Sequence, residues 1–388
     1  MKYISQAFLS ILFIVSVLTA RPLYAEEPNN ISSYKFHINI RPVYSFVNTT
    51  EHDDTEISLH TMNLRTQLGL RYDFNNKLSF HVRTAMRLAS NQDDFRFLID
   101  FYTEESGTYP SGIATIDEFF VNWKVTPELT LIAGRFQGRF PLEGFIPKGI
   151  DRYYAANLSI SHTDGFWLSW NAGEDWLLHL IGSHNSESGS THTAYYPLRF
   201  DESVASRFSA YANVQHRNTQ ERWAQRELSA SITPHNFYLD DELKHHIALS
   251  TRWMYRANYS LSGEEYLIGG ELGFIPVAPK PSDAGFQISE EQLLFGSSAF
   301  AWQVSAYINE ISERHRIGVL YGHTDPHWLI SSSFAPNIKM AEFRYRYTIT
   351  SWINYEFRFR LRDEKLLPSE VNQGKRIFDF YTRFTIRL

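Results

Sequence analysis

Toward the C-terminus, arginines recur at every second residue. Arg344 and Arg346 come first, then Arg358, Arg360 and Arg362, then Arg383 and Arg387. Glu342, Glu356 and Asp379 fall in the same phase. A guanidinium stays charged in proteins and only donates hydrogen bonds, so a ladder of them beside water favours anions. The residues between are greasy: Ile353, Tyr355, Phe357, Phe359 and Leu361. A period of two is that of a β-strand, here with hydrocarbon on one side and water on the other. Membrane-spanning barrels need such strands, because lipid-facing and lumen-facing residues alternate. Arg358, Arg360 and Arg362 must then point inward, since an arginine at the bilayer midplane costs about 2–4 kcal/mol. Earlier strands add Arg65, Arg71, Arg83 and Arg87 to the inward set, and later ones add Arg252, Arg256 and Arg316.

A turn near Ser351 would set Arg344 beside Arg358, Glu342 beside Arg360 and Arg346 beside Glu356. Like charges directly opposite destabilise a sheet, so retaining them in a water-filled lumen points to use in anion selection. The bland alternative is a basic lumen balanced by acids from facing loops, without selectivity. A second candidate is the connection 138–156, dense in charge and turn residues. Folded inward, it would bring Arg139, Glu143, Lys148, Asp151 and Arg152 to a constriction; as an ordinary surface loop it would not. Other chemistry is weak. His235, Asp240, Asp241, Glu242, His245 and His246 include usual metal ligands, as do His323, Asp325 and His327, but both groups read better as solvated loop residues. No Gly-x-Ser-x-Gly elbow frames a nucleophile. Neither a cofactor nor a metal is expected.

Alternation places sixteen strands at 34–47, 57–74, 78–90, 119–125, 129–136, 158–170, 176–183, 204–215, 223–233, 243–257, 266–275, 298–309, 314–323, 339–349, 353–362 and 376–388. Bacterial barrels carry an even number of strands, and the chain fits sixteen at ~23 residues per strand plus connection. Long connections follow the odd strands and short turns the even ones. That sorting matches long extracellular loops and short periplasmic turns, with both termini periplasmic. Prolines gather in the long connections: Pro276, Pro279, Pro281, Pro326, Pro336 and Pro368. There they remove no donor from a ladder. Trp167, Trp170, Trp176, Trp253, Tyr255, Trp302, Tyr345, Tyr347, Trp352 and Tyr355 are expected outward, as girdles at headgroup depth.

The N-terminus differs from everything after it. Lys2 precedes an almost purely apolar run from Ala7 to Ala20, too short for a comfortable membrane helix, and Ala25 stands before Glu26-Glu27. This is the pattern of a secretory signal peptide, residues 1–25, with cleavage after Ala25 and Ala20 as the alternative. Residues 26–388 then form one barrel domain. No later stretch is apolar enough for a helical span. A mean hydropathy of −0.33 would suit a soluble protein, but alternation hides the greasy face of a barrel strand. Aromatics reach 15%, which strands and membrane interfaces both favour. A net charge of −6 argues against nucleic acid as a partner.

The whole chain resembles Gram-negative outer-membrane porins. From Asn63 to Trp170 it is similar, more narrowly, to alginate-export-like and phosphate-selective-porin-like channels. Leu129-Thr-Leu-Ile-Ala-Gly-Arg-Phe136 carries this likeness, followed by Asp151-Arg152 and Ser161-His-Thr-Asp-Gly-Phe166. The family pattern has Gly-Arg-Gln, whereas here Phe136 separates Gly134-Arg135 from Gln137. The resemblance implies a passive, arginine-lined conduit for anionic solutes, and would add Arg135 and Arg152 to the lumen. Expected partners are outer-membrane lipid, lipopolysaccharide and small anions, in a homotrimer or a monomer. The rivals are an export conduit for an acidic polysaccharide, a barrel enzyme such as a lipid hydrolase, and a non-conducting adhesin.

Overall fold

The computed structural model describes residues 32–90, 98–100, 113–138, 140, 163–185, 207–218, 221–235, 244–257, 265–277, 298–311, 314–326, 328, 337–364 and 374–388. The expected signal peptide, Arg139, Glu143, Lys148, Asp151, Arg152 and nearly all of 276–291 lie outside these residues. Every regular element described is a β-strand. They are β1 (Ser33–Thr50), β2 (Glu56–Asp73), β3 (Leu78–Ala89), β4 (Leu98–Asp100), β5 (Ile113–Lys124) and β6 (Leu129–Phe136). There follow β7 (Thr163–Asn171), β8 (Trp176–Asn185), β9 (Arg207–Arg217), β10 (Gln225–His235), β11 (Lys244–Ala257) and β12 (Glu265–Ile275). The last are β13 (Ala299–Ile311), β14 (His315–Thr324), β15 (Ile338–Thr348), β16 (Ile353–Glu364) and β17 (Arg376–Arg387).

Sixteen of these pair antiparallel with their sequence neighbours, and β1 pairs with both β2 and β17, so the sheet closes. Only β4 stands outside the ring: β3 pairs directly with β5, while β4 lies parallel to β5 over three residues. Closure leaves two kinds of side-chain position. On β12 and β13, Leu272 and Phe300 are more than half exposed, whereas Leu267, Glu271, Ile275 and Ala299 are buried. The apolar phase faces out, and the phase rich in Arg, Glu, Gln and Ser faces in.

All sixteen expected barrel strands are present, with ends shifted by a few residues. The largest shift is β5, which starts at Ile113 where alternation suggests 119. The register slips between Arg83 and Thr84, leaving Asp117 as an extra residue on β5. Such a bulge breaks the period of two, so the strand before it is invisible to a pattern search. The connection 51–55 is also much shorter than odd-strand parity implies. It closes with Glu51 N donating to Thr55 O at 2.9 Å, and Asp54 takes φ 64°.

Four outward tryptophans lie at the end of the barrel that carries the short turns, whereas Trp302 and Tyr321 pack together toward the other end. Trp170, Trp176, Trp223 and Trp352 are close to half exposed there. Trp253 lies across Gly270, where a Cβ would come within 2.3 Å of the indole. Trp167 does not join them: its register partners are Ile132 and Ile181, and its ring packs on Phe136 and Phe140 on the inner face. Alternation along β7 decides this, because Phe166 and Trp170 take the outer phase.

A lipid-facing outer surface has a testable consequence at outward Phe359, where arginine would place a charge in hydrocarbon. The substitution is expected to lower the unfolding free energy by about 2–4 kcal/mol, read by urea titration in lipid vesicles. A loss below about 1 kcal/mol would mean that this face is not in lipid.

Candidate functional site: the charged inner face

The inner face of β15, β16 and β17 holds the densest set of charges. The hairpin register is the expected one: Arg344 opposes Arg358, Glu342 opposes Arg360, and Arg346 opposes Glu356. On the next strand, Asp379 opposes Arg360, Tyr381 opposes Arg358, and Arg383 opposes Glu356. Among the described residues, carboxylates of the wall itself hold these arginines apart. Glu342 accepts from Arg344 at 2.5 Å and lies 3.9 Å from Arg358. Glu356 binds Arg346 at 2.8 Å, Arg383 at 3.0 Å and Arg344 at 3.4 Å, and also accepts from the Tyr381 hydroxyl. Asp379 takes Arg358, Arg360 and Arg362 at 2.7–3.0 Å. The Tyr381 ring lies under the Arg358 guanidinium, 4.1 Å from its centroid, as a cation–π spacer.

Six guanidiniums thus share three carboxylates, and the cluster is positive overall. Exposure divides them: Arg346, Arg360 and Arg362 keep 23%, 15% and 20% of their side chains accessible, against 0% for Arg344 and 6% for Arg383. Several donors remain over. Arg358 Nε, Arg362 Nε and Arg383 Nε and Nη1 are buried without a hydrogen-bond acceptor. Buried donors of that kind call for an explanation, and ions or water supply one.

A second basic group sits on β1 to β5. Arg83 chelates Asp117 at 2.8–2.9 Å and reaches Glu118 at 2.7 Å. Gln67 and Gln137 also donate to Asp117, so the bulge residue is a hub. On β1 to β3, Arg41 opposes Arg65 and Arg65 opposes Arg87, three guanidiniums side by side. Arg87 donates to Asn63, and Arg41 to Asn39 at 3.0 Å. Arg41 escaped the sequence reading although His37, Asn39 and Arg41 share the polar phase of the first strand; Pro42 and the mixed chemistry around it blur the period there.

The other expected residues are spread around the ring. Arg252 is buried between Glu227 and Glu271 in register, pairs with Glu227, and donates to the Phe140 carbonyl at 2.5 Å. Arg256 pairs with Glu265 at 2.6 Å. Arg316 lies beside Arg346 in register. Arg71 binds Asp73 at 2.6 Å at the turn end, and Arg387 is exposed at that end. Arg135 departs from expectation. Its register partner is outward Phe119, and its guanidinium chelates Asp164 at 2.7–2.9 Å and reaches Ile116 O, clamping β6 to β7. Gly134, at φ 123°, precedes it where a Cβ would strike Phe119 O at 2.3 Å. Among the described residues, no group of His, Asp and Glu could hold a metal ion. His323 instead bonds Asp325 at 3.1 Å, and His327 lies outside the described residues.

The described fold is that of solved porins. Pseudomonas putida OprB superposes with a TM-score of 0.57 at 11% identity, over 92% of this chain and 94% of that one. Salmonella typhi OmpF, solved with daunomycin, gives 0.55 at 11% identity, over 93% and 98%. An anion-selective porin from Comamonas acidovorans gives 0.53 at 8% identity, over 92% and 100%. At such identities the likeness establishes the barrel fold. No known family profile matches the sequence, and no curated protein resembles it.

Glu356 holds three guanidiniums while 2% exposed. Glu356→Gln should destabilise the barrel by about 3–5 kcal/mol in vesicle urea titrations, the cost of stranding buried charge. Asp363→Asn, which breaks the exposed pair with Arg376, should cost less than about 1 kcal/mol. Equal losses would count against Glu356 as the hub.

Proposed function

We propose that this protein is an outer-membrane channel through which small anionic solutes diffuse passively. The observation that carries the reading is the surplus of guanidinium over carboxylate on the inner face of β15–β17. Residues 1–25 would serve as its export signal, and the closed barrel would sit in lipid and lipopolysaccharide with its long connections outward. Transport of this kind needs no cofactor and no covalent step. An entering anion exchanges hydration for guanidinium donors, and several sites of similar strength let it leave again.

The division by exposure refines which arginines matter. Arg344, Arg358 and Arg383 are largely enclosed among carboxylates and Tyr381, and serve to build the wall. Arg346, Arg360 and Arg362 present accessible surface and are the contacts for a passing anion, with Arg87 and Arg41 on the neighbouring inner wall of β3 and β1. Lys148 and Arg152 would join them only if their connection turns inward. The anion-selective porin among the solved relatives in fold agrees with the reading without deciding it. A polysaccharide conduit gains no comparable support, because Arg135 is committed to Asp164.

In planar bilayers under a potassium chloride gradient, the wild-type chain should give a reversal potential favouring chloride. Replacing Arg360 and Arg362 by serine should lower the chloride-over-potassium permeability ratio by about threefold or more, since each removes a wall charge. An unchanged reversal potential would remove these two residues from selectivity.

A further inference from the structure

On β11 to β14, near the short-turn end, the wall sinks into an apolar cavity of about 520 Å³. Two register rows cross it. One runs from Tyr255 through Ile268 and Ala306 to Val319, the other from Ala257 through Tyr266 and Ile308 to Ile317. Ile268 and Val319 are 45% and 49% exposed, which puts the cavity on the outside of the barrel. Ala306 stands between them and reaches no further than its Cβ, so the wall dips there. Leu267, Tyr307 and Gly318, whose phase is inward, line the cavity from beneath.

Aromatic rings stand on both flanks. Toward β10, the Trp223 ring lies 5.8 Å from Trp253 and 5.2 Å from Tyr255. Toward β15, Tyr345 follows Ile317 in register, and its hydroxyl is 2.6 Å from His315 Nδ1. The His315 ring in turn stacks on Tyr347 at 4.8 Å. Rings with a polar tip sit at headgroup depth, so the cavity leads from that depth into hydrocarbon. Exposed arginines stand at its turn end. Arg314 precedes Ile317 by one turn of chain, its carbonyl held by Thr348 N at 2.8 Å, and the Arg222 carbonyl accepts from Arg256 N beside Ala257. Two acids of these turns are already engaged, Glu221 with Arg226 at 3.0 Å and Glu265 with Arg256 at 2.6 Å. We propose that the cavity binds a phospholipid of the leaflet at the short-turn end. One acyl chain fills the dip over Ala306, and the phosphate meets the Arg314 guanidinium, a group suited to bidentate contact with phosphate oxygens. Ten residues line the cavity, against about 20–30 a side in a stable protein interface, which favours a lipid over a second copy of the chain. The proposal rests on the barrel lying in a membrane, and not on what its lumen conducts.

The test is native mass spectrometry of the full chain, purified in detergent, stripped of lipid and titrated with dioleoyl phosphatidylglycerol or with phosphate-free dioleoylglycerol. The wild-type chain should hold one phosphatidylglycerol, about tenfold or more tighter than dioleoylglycerol. Ala306→Phe fills the dip and Arg314→Ser removes the phosphate contact, and each should weaken phosphatidylglycerol by about tenfold or more. Ala212→Phe, at an exposed outward position on β9, makes the same change away from the cavity and should leave binding unaltered. Wild-type affinity in Ala306→Phe, an equal loss in Ala212→Phe, or equal affinity for the two lipids would overturn the site. A dimer of the wild-type chain that is lost in Ala306→Phe would overturn it too, by giving the cavity to a second copy. Reversal potentials of Ala306→Phe and Arg314→Ser in planar bilayers should match the wild type. A chain that binds the lipid as expected but passes no current would overturn the channel reading alone.

Discussion

Closure of the sheet is the constraint on which everything else rests. β1 is the keystone, paired along one edge with β2 and along the other with β17, from Asn39 opposite Arg387 to Thr50 opposite Arg376. The last residue is drawn into the ring as well, with Ile38 and Leu388 exchanging backbone hydrogen bonds at 2.8 and 2.9 Å. In hydrocarbon an unpaired backbone amide costs several kcal/mol, so an open edge would not survive there. Once the ring is shut, alternation acquires a radial meaning. Each second side chain points outward, and each one between has to be accommodated inside.

The inside can hold so many arginines because acids are interleaved at the same depth. Like charges meet in register at Arg344–Arg358 and Arg316–Arg346, and at Arg41–Arg65–Arg87. Alone, such pairs would weaken the sheet. Glu342, Glu356 and Asp379 each bridge two or three guanidiniums, and Tyr381 separates Arg358 from Arg383 with its ring. On β10 to β13 the order reverses: Arg252 stands between Glu227 and Glu271 in register, and Gln303 donates to Glu271. The interior is therefore basic along the seam and close to neutral or acidic across from it.

Much of this was legible in the chain itself, because alternation is a local signal and radial direction follows from it. The pairing of Glu342 with Arg360 and of Arg346 with Glu356 follows from a single tight turn. Legibility fails where the period of two is interrupted. The bulge at Asp117 hid the first half of β5, and the positive φ of Gly134 lies next to Arg135, whose phase turned out to be that of Phe119. Trp167 was misread because an aromatic on a strand suits a girdle or a lumen equally well; it stands out of phase with Phe166 and Trp170 and packs on Phe140. Tertiary burial of Phe140 and Trp328 has no periodic signature, so neither contact could be foreseen.

Charge and burial together show why the exposed arginines are the ones left to act on a solute. A buried guanidinium without a carboxylate is far more costly than an exposed one, since solvent no longer offsets its charge. Each carboxylate is therefore best assigned to its most enclosed partner: Glu342 to Arg344, Glu356 to Arg383 and Asp379 to Arg358. That assignment uses each acid once, and Arg346, Arg360 and Arg362, which also reach Glu356 or Asp379 at 2.7–3.0 Å, carry the surplus of guanidinium over carboxylate. These are also the three with the most accessible side chains in the cluster. The acids that make the wall stable thus neutralise the arginines that solvent cannot reach. On the channel reading, the surplus is displayed along the inner face of β15–β17.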